Sequence, residues 1–294
     1  MRIATRRGRS VLISPDTTFL IDIAEASHGR FGPGARSVYE AWSDFVEWAR
    51  HASIDFAEGG TPLNLTELDP PSPEPRQTFA IGLNYRDHAD ESGLDYPSSP
   101  PTFTKFAGSF AGPIGELALP AATVDWEAEL VVVIGRRAER VTAAWAWSYV
   151  AGLTAGQDFS ERGLQLAGPA PQFSLGKSYP GFAPQGPWLV TPDEFADPED
   201  LPIECRVNGE VMQRSSTKQL IFSVPDLVEH LSAVLPLLPG DVIFTGTPAG
   251  VGGTRKPPRF LKEGDVVETT IGGIGDLRQV CIDGPGKGEQ QVTP

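Results

Sequence analysis

An apolar run from Leu130 to Ile134 follows directly on two glutamates, Glu127 and Glu129. Because side chains alternate sides along a strand, these glutamates and Asp125 are expected to share one face, while the even-numbered residues from 126 to 132 form an opposite, core face. Carboxylates on one face at this spacing lie about 7 Å apart. The pattern therefore predicts a buried strand that begins with charged residues.

The amino-terminal part of the chain contains short strand patterns and one helix pattern. Short strand-like apolar runs lie at Val11–Ile13 and Phe19–Ile23, and apolar residues recur every three or four residues from Val38 to about Arg50. Ser37 and Glu40 have the spacing of a capping box, which predicts that the helix begins there. These elements predict a small α+β unit.

A proline-rich segment, 69–75, follows this unit and is expected to be an extended linker, because proline neither sustains a helix nor donates along a strand. We therefore predict a small domain over residues 1–70 and a larger one over 71–294. In the larger part, Asn208-Gly209 predicts a hairpin over 203–213, and periodic apolar residues predict a helix over Ser223–Leu235. The fold class expected is α+β and rich in strands.

Composition excludes several kinds of partner. The 294 residues include 24 basic and 38 acidic side chains, a net charge of -14, which disfavours binding to a phosphate backbone. Apolar stretches are too short to span a membrane, and the basic amino terminus lacks the apolar segment of a signal peptide. We therefore expect a cytoplasmic protein with no nucleic-acid or membrane partner. Cys205 and Cys281 are interpreted as ordinary thiols.

The paired glutamates indicate a metal site. An unpaired charge on a buried strand is costly, and a divalent cation removes the repulsion between Glu127 and Glu129. Oxygen ligands without a nearby cysteine favour Mg²⁺, Mn²⁺ or Ca²⁺ over zinc. The alternative is a solvated strand edge that carries acidic residues, but the apolar run that follows argues against it.

His88 and Glu91 form a second candidate site, because residues three apart on a helix share a face. The carboxylate can orient the imidazole, or the pair can polarise a water molecule as a general base. The alternative is an ordinary surface ion pair.

Several motifs together resemble the fumarylacetoacetate hydrolase family, in the family's order and over roughly residues 79–280. They comprise Gly82-Leu-Asn-Tyr with His88 and Glu91, Phe103-Thr-Lys105, Asp125-Trp-Glu127-Ala-Glu129-Leu with Val133-Ile134-Gly135, Gln157-Asp158-Phe-Ser160-Glu-Arg162 with Gln165, Gly176-Lys177-Ser178, Gly186-Pro187-Trp188, Val207-Asn208-Gly209-Glu210, Gly240-Asp241 and Thr245-Gly246-Thr247-Pro248. Several motifs at once are more specific than any single one. The resemblance implies a mixed β-sandwich or roll and a homodimer.

The resemblance also implies roles for particular residues. Glu127, Glu129 and Asp158 match the family's metal ligands, for Mg²⁺ first and otherwise Mn²⁺ or Ca²⁺, and Asp125 is expected to be an acceptor beside the metal. His88, Glu91 and Lys177 match catalytic positions. The positions that match substrate contacts are Arg162, Gln165, Thr247 and, more faintly, Lys105, for which an ordinary surface charge is an equal alternative.

The function that the resemblance implies is metal-dependent hydrolysis of a C–C bond in a 2,4-dioxo acid of the acylpyruvate type, giving pyruvate and a carboxylic acid. The alternatives on the same metal site are an oxaloacetate-type decarboxylase and a hydroxymuconate-type isomerase or decarboxylase. A metal-stabilised binding protein is the alternative without catalysis. The segment 92–101, rich in serine and proline, is either a lid that becomes ordered on binding or a simple connection.

Overall fold

The computed structural model describes residues 1–284 of the protein. Its strands are β1 (Arg2–Arg6), β2 (Arg9–Ile13), β3 (Phe19–Asp22), β4 (Thr61–Pro62), β5 (Leu68–Asp69), β6 (Thr78–Ile81), β7 (Thr102–Phe103), β8 (Phe110–Ala111), β9 (Ile114–Leu119), β10 (Val124–Asp125), β11 (Ala128–Ile134), β12 (Val150–Gln157), β13 (Ser160–Glu161), β14 (Ala183–Val190), β15 (Pro202–Val207), β16 (Glu210–Ser216), β17 (Val242–Phe244), β18 (Val266–Ile271) and β19 (Gly275–Asp283). Its α-helices are α1 (Ile23–Ala26), α2 (Ala35–Glu40), α3 (Trp42–His51), α4 (Phe56–Gly59), α5 (Arg86–Ser92), α6 (Arg162–Gln165), α7 (Phe173–Gly176) and α8 (Val224–Val234).

Two mixed sheets carry the fold. The larger sheet runs in the order β4-β3-β2-β1-β14-β12-β11-β17-β6-β7, with β5 and β8 joined to β1 and β14. The second sheet runs in the order β16-β15-β18-β19-β9 and packs against β11, β12 and β14. This architecture confirms the predicted α+β, strand-rich fold class.

Strand β11 is buried on both faces. Leu130 and Val132 lie in the core between the two sheets, as predicted, but Val131 and Val133 lie in a second core with helices α2 and α3. The prediction of a single core face was therefore incomplete. The glutamate face of the strand becomes apolar after Glu129, because the amino-terminal helices cover it.

The amino-terminal helix is broken at Ala41 into α2 and α3, whereas one helix was predicted. The break lets the buried rings of Tyr39 and Trp42 stack, with centroids 5.6 Å apart. The predicted capping box is wrong, because the helix begins after Gly34 and the hydroxyl of Ser37 donates to the Gly34 carbonyl at 2.7 Å. Tertiary packing overrides the local signal here.

The proline-rich segment 69–75 is packed in place. Pro71 and Ser72 are buried, and the Ser72 hydroxyl donates to the Gly240 carbonyl at 2.6 Å. Strand β1 also pairs with β14, so the large sheet continues across the proposed boundary. The division into residues 1–70 and 71–294 stays a prediction.

Two predicted elements in the larger part are confirmed. Strands β15 and β16 form a hairpin around Asn208 and Gly209, whose φ angles are 53° and 79°. Helix α8 begins at a capping box formed by Ser223 and Asp226. In the part of the chain that the structure describes, none of the helices has the length and apolar character needed to cross a membrane.

Candidate metal centre

The three predicted metal ligands lie where two neighbouring strands are interrupted together. The chain leaves β10 at Asp125 and resumes as β11 at Ala128, and opposite this gap β12 ends at Gln157 before β13 starts at Ser160. The backbone amide of Asp158 donates to the Glu127 carbonyl at 2.9 Å, which holds the two gaps side by side. Because Glu127 and Asp158 lie in these gaps, their side chains do not follow the regular geometry of a strand.

The structure brings Glu127, Glu129 and Asp158 together. One carboxylate oxygen from each lies within 4.8 Å of the others, and all three side chains are buried. Three hard oxygen donors at this separation fit a divalent ion such as Mg²⁺ or Mn²⁺. Their role as ligands stays a prediction, as does the identity of the ion.

Two glutamine side chains support the gap, and neither is among the site residues predicted from the sequence. Gln157 Oε1 accepts from the backbone amide of Glu127, and Gln213 Oε1 accepts from that of Ala128, both at 2.9 Å. These bonds replace the strand pairing that the interruption removes. Gln157 ends a largely apolar strand segment, which is a weak hint in the sequence, whereas Gln213 stands among the polar residues of β16 and carries none.

Gln213 also fixes Thr247. Its Nε2 donates to Thr247 Oγ1 and to the Pro248 carbonyl, each at 2.8 Å, while the Thr247 hydroxyl donates to the Ala128 carbonyl at 2.8 Å. Thr247 lines the cavity described below, but its proton is already used in this arrangement. A hydrogen bond from this hydroxyl to a substrate would require it to change partner.

Three buried or nearly buried cations contact the acidic cluster. Lys177 Nζ lies 2.7 Å from Glu127 Oε2 and 2.8 Å from Asp158 Oδ2. Lys105 Nζ bonds to Asp158 and to the Lys177 carbonyl, and its side chain is fully buried. The interpretation of Lys105 as a surface charge is therefore wrong. Nothing in the sequence around a single lysine distinguishes a buried lysine from one at the surface.

Arg162 joins the cluster to its surroundings. Its guanidinium donates to Asp125 Oδ1 at 2.8 Å, to Glu127 Oε1 at 2.6 Å and to Gln165 Oε1 at 2.9 Å. Asp125 also accepts from the Gly253 amide at 2.6 Å and lies outside the group of three ligand carboxylates. This placement agrees with its expected role as an acceptor beside the metal, which remains a prediction.

The electrostatics differ sharply between the two glutamates. Burial alone would raise the pKa of Glu127, but Lys177 and Arg162 outweigh it and hold this pKa at about 2. Burial, followed by the charges of Asp158 and Glu127, raises the pKa of Glu129 well above its usual value. The carboxylate of Glu129 accepts from the Gly246 amide at 2.8 Å.

The net charge of the cluster favours the binding of a cation. The cluster contains four carboxylates and three cationic side chains, which in their ordinary charge states leave one surplus negative charge. These seven side chains are Asp125, Glu127, Glu129, Asp158, Lys105, Lys177 and Arg162. A buried surplus charge is costly unless it is paired. The donor set and this surplus both fit a divalent metal ion.

His88 and Glu91 lie on α5, at 3.7 Å between His88 Nδ1 and Glu91 Oε2. This distance is too long for a hydrogen bond. Glu91 Oε2 instead accepts from the Gly250 amide at 3.0 Å and from the Thr254 hydroxyl at 3.1 Å. The pair is close, as predicted, but its carboxylate is anchored to the loop that follows β17.

A cavity of about 520 Å³ opens onto the cluster. Its polar lining includes five predicted catalytic or substrate-binding residues and the predicted metal ligand Glu127, but neither Glu91 nor Lys105; the five are His88, Arg162, Gln165, Lys177 and Thr247. Ser92 and Leu94, from the proposed lid, also line it. The fold places these residues around one cavity, and their roles stay predictions.

Comparison with known proteins identifies the family. The family profile described as fumarylacetoacetate (FAA) hydrolase C-terminal matches residues 77–281, so the chain belongs to the fumarylacetoacetate hydrolase family. A similar protein is oxaloacetate tautomerase FAHD2A, mitochondrial, from Homo sapiens, with 46% identity over 207 residues. That match covers 70% of this chain but 66% of the relative.

Solved structures agree with the family assignment over nearly the whole chain. A Mycobacterium smegmatis protein provisionally named HpcE is 50% identical, with a TM-score of 0.91, over 97% of this chain and 100% of that chain. Maleylpyruvate hydrolase from Sphingobium sp. SYK-6, in complex with manganese(II) and pyruvate, is 26% identical, with a TM-score of 0.78, over 97% and 100% of the two chains. Members of this family act on small acids, and this chain shares their fold.

Proposed function

We propose that the protein is a divalent-metal-dependent hydrolase that cleaves a C–C bond of a 2,4-dioxo acid of the acylpyruvate type, giving pyruvate and a carboxylic acid. The observation that carries the proposal is that Glu127, a member of the three-carboxylate cluster, and His88 border the same cavity. A metal ion there and a base for water are the two functions that this hydrolysis requires.

Glu127, Glu129 and Asp158 would hold the ion. When bound, a divalent ion supplies Lewis acidity that stabilises negative charge on the oxo group of a 2-oxo acid. Its two charges would turn the surplus of one negative charge in the cluster into a surplus of one positive charge. A cluster with that charge suits the single carboxylate of a 2-oxo acid.

His88 would act as the base. The imidazole takes a proton from water, the water oxygen bonds to C4, and the C3–C4 bond breaks with its electron pair left on C3 as pyruvate enolate. The enolate then takes up a proton to give pyruvate. Glu91, fixed by Gly250 and Thr254, places a carboxylate beside the imidazolium that forms.

Lys177 and Arg162 would supply positive charge at the cavity wall. Both border the cavity and both bond to Glu127, so their positions are fixed before a substrate arrives. Fixed charges of this kind stabilise developing negative charge without reorganisation. Gln165 is held by Arg162 and would contact the substrate's oxygens from the same side.

The test is release of pyruvate from acetylpyruvate, with Mg²⁺ or Mn²⁺ added to protein that was first treated with EDTA. We expect turnover to return with metal, and we expect His88→Ala to lower kcat about 10²- to 10⁴-fold. His51→Ala, at an exposed position on α3, is the matched control and should leave the rate unchanged. Full activity of His88→Ala would refute this mechanism, and failure of the metal-loaded protein to cleave any acylpyruvate would refute the reaction.

Tautomerisation of oxaloacetate is the second candidate, because the similar human protein named above is an oxaloacetate tautomerase. In that reaction His88 would move a proton to or from C3 and no water would attack. Oxaloacetate would then change between its keto and enol forms without release of pyruvate or CO₂. Ultraviolet absorbance of the enol, measured together with pyruvate, separates this reaction from both hydrolysis and decarboxylation.

A further inference from the structure

Much of the cavity wall is apolar. Beyond the cluster, the lining includes Ile81, Leu83, Phe103, Leu166, Phe173 and Phe260. The apolar wall starts directly beside the catalytic groups, since Lys177 Nζ lies 5.5 Å from the centroid of the Phe103 ring. Phe103 in turn packs edge to face against Phe173, with centroids 5.6 Å apart.

Two leucines extend this wall toward solvent. Leu94 and Leu166 line the cavity and are 55% and 58% exposed. Exposed apolar side chains that border a pocket become buried when an apolar ligand group covers them. Leu175 is equally exposed, at 63%, but does not line the cavity.

The charges of the lining argue against a second carboxylate on the substrate. Among the described residues that line the cavity, the lysines and arginines are Lys177 and Arg162, and both are already bonded to carboxylates of the cluster. A carboxylate placed against the apolar wall would lose its hydration without gaining a partner. A four-carbon diacid would also fill little of a cavity of about 520 Å³.

We infer that the apolar wall is a binding subsite for an uncharged alkyl or aryl group at the far end of a 2-oxo acid. The metal cluster would take the carboxylate and the oxo group, so the inference rests on the proposed function for that part of the ligand. The substrate class is therefore a monocarboxylic 2-oxo or 2,4-dioxo acid with an apolar tail. Acids that carry a second, distal carboxylate are disfavoured.

The test measures binding, so that it does not depend on turnover. Titration calorimetry of the Mg²⁺-loaded protein compares pyruvate, 2-oxohexanoate and 2-oxooctanoate with 2-oxoadipate, the diacid that matches 2-oxohexanoate in length. Burial of a methylene group predicts that Kd falls about two- to fourfold for each one added. We expect 2-oxoadipate to bind at least about tenfold more weakly than 2-oxohexanoate.

Variants locate the subsite. Leu94→Ser and Leu166→Ser should raise the Kd of 2-oxooctanoate at least about fivefold more than the Kd of pyruvate, because each removes apolar surface that the tail covers. Leu175→Ser is the matched control and should leave both values unchanged. Equal effects of all three variants would overturn the subsite.

Other outcomes separate this inference from the proposed function. A Kd that is flat across the alkyl series, or equal binding of 2-oxoadipate and 2-oxohexanoate, overturns the subsite even if acetylpyruvate is cleaved. If the binding series behaves as expected but no acylpyruvate is cleaved, the subsite stands and the hydrolase proposal fails.

Discussion

At the scale of single residues, the site depends on side chains that repair an interrupted strand. The gap at Trp126 and Glu127 leaves the amides of Glu127 and Ala128 without strand partners, and Gln157 and Gln213 accept from them. An unpaired buried amide costs about 1–3 kcal/mol. The two glutamines therefore allow the gap that contains Glu127 to exist within a buried sheet.

Gln213→Leu should lower the affinity for Mn²⁺ at least about tenfold and lower the free energy of unfolding by about 1–3 kcal/mol, because the Ala128 amide and Thr247 lose their partner. Calorimetric titration with Mn²⁺ and urea denaturation measure the two effects. Gln279→Leu is the control, since Gln279 is equally buried in the same sheet, but its amide donates to the Pro113 carbonyl just before β9 and does not contact the acidic cluster. Equal Mn²⁺ affinity in both variants would show that Gln213 does not position the ligands.

Glu129→Gln should have opposite effects on metal binding and on stability. It removes a ligand charge, so metal dependence of activity should be lost, but it also removes an acid whose ionisation is opposed by burial and by the charges of Asp158 and Glu127, which raise its pKa. We expect the unfolding free energy of the metal-free protein to rise by about 0.5–2 kcal/mol. A fall in the thermal midpoint of metal-free Glu129→Gln relative to wild type would contradict this account.

The sequence predicts some site residues and misses others for a physical reason. Glu127 and Glu129 stand out because charges conflict with the apolar run beside them. Gln213 forms its bond to Ala128 across 85 positions of the chain, and Lys105 reaches Asp158 across 53. Such contacts depend on the fold, and neither residue departs from its local pattern.

At the scale of elements, local signals predict structure where local bonds determine it. The hairpin at Asn208-Gly209 and the start of α8 at Ser223 are formed by residues close in sequence, and both are confirmed. The break at Ala41 and the joint gaps of β10–β11 and β12–β13 depend on packing between distant parts of the chain. These features could not be predicted from periodicity alone.

The segment after α5 is the element expected to respond to ligand. Gly93 ends the helix with a φ of 65°, and Leu94 then lines the cavity. Chymotrypsin cleavage after Leu94 should slow when Mg²⁺ and 2-oxooctanoate are both present, because the ligand's tail covers this side chain. Mass spectrometry of timed digests measures the rate, and an unchanged rate would mean that the segment is a plain connection and not a lid.

At the scale of the whole molecule, the amino-terminal part packs against β11, the strand that contains the predicted metal ligand Glu129. Helices α2 and α3 cover Val131 and Val133 of β11, and Trp42 lies against Gly135 at the end of that strand. The family match begins at residue 77, yet the core behind the site includes residues before it. The homodimer and the cytoplasmic location stay predictions.

The central claim is that Glu127, Glu129 and Asp158 hold the divalent ion that serves this cavity. Anomalous diffraction from crystals grown with Mn²⁺ tests it most directly. We predict one strong peak that lies about 2.0–2.2 Å from an oxygen of each carboxylate. Strong Mn²⁺ peaks elsewhere, with none between these three side chains, would contradict the claim.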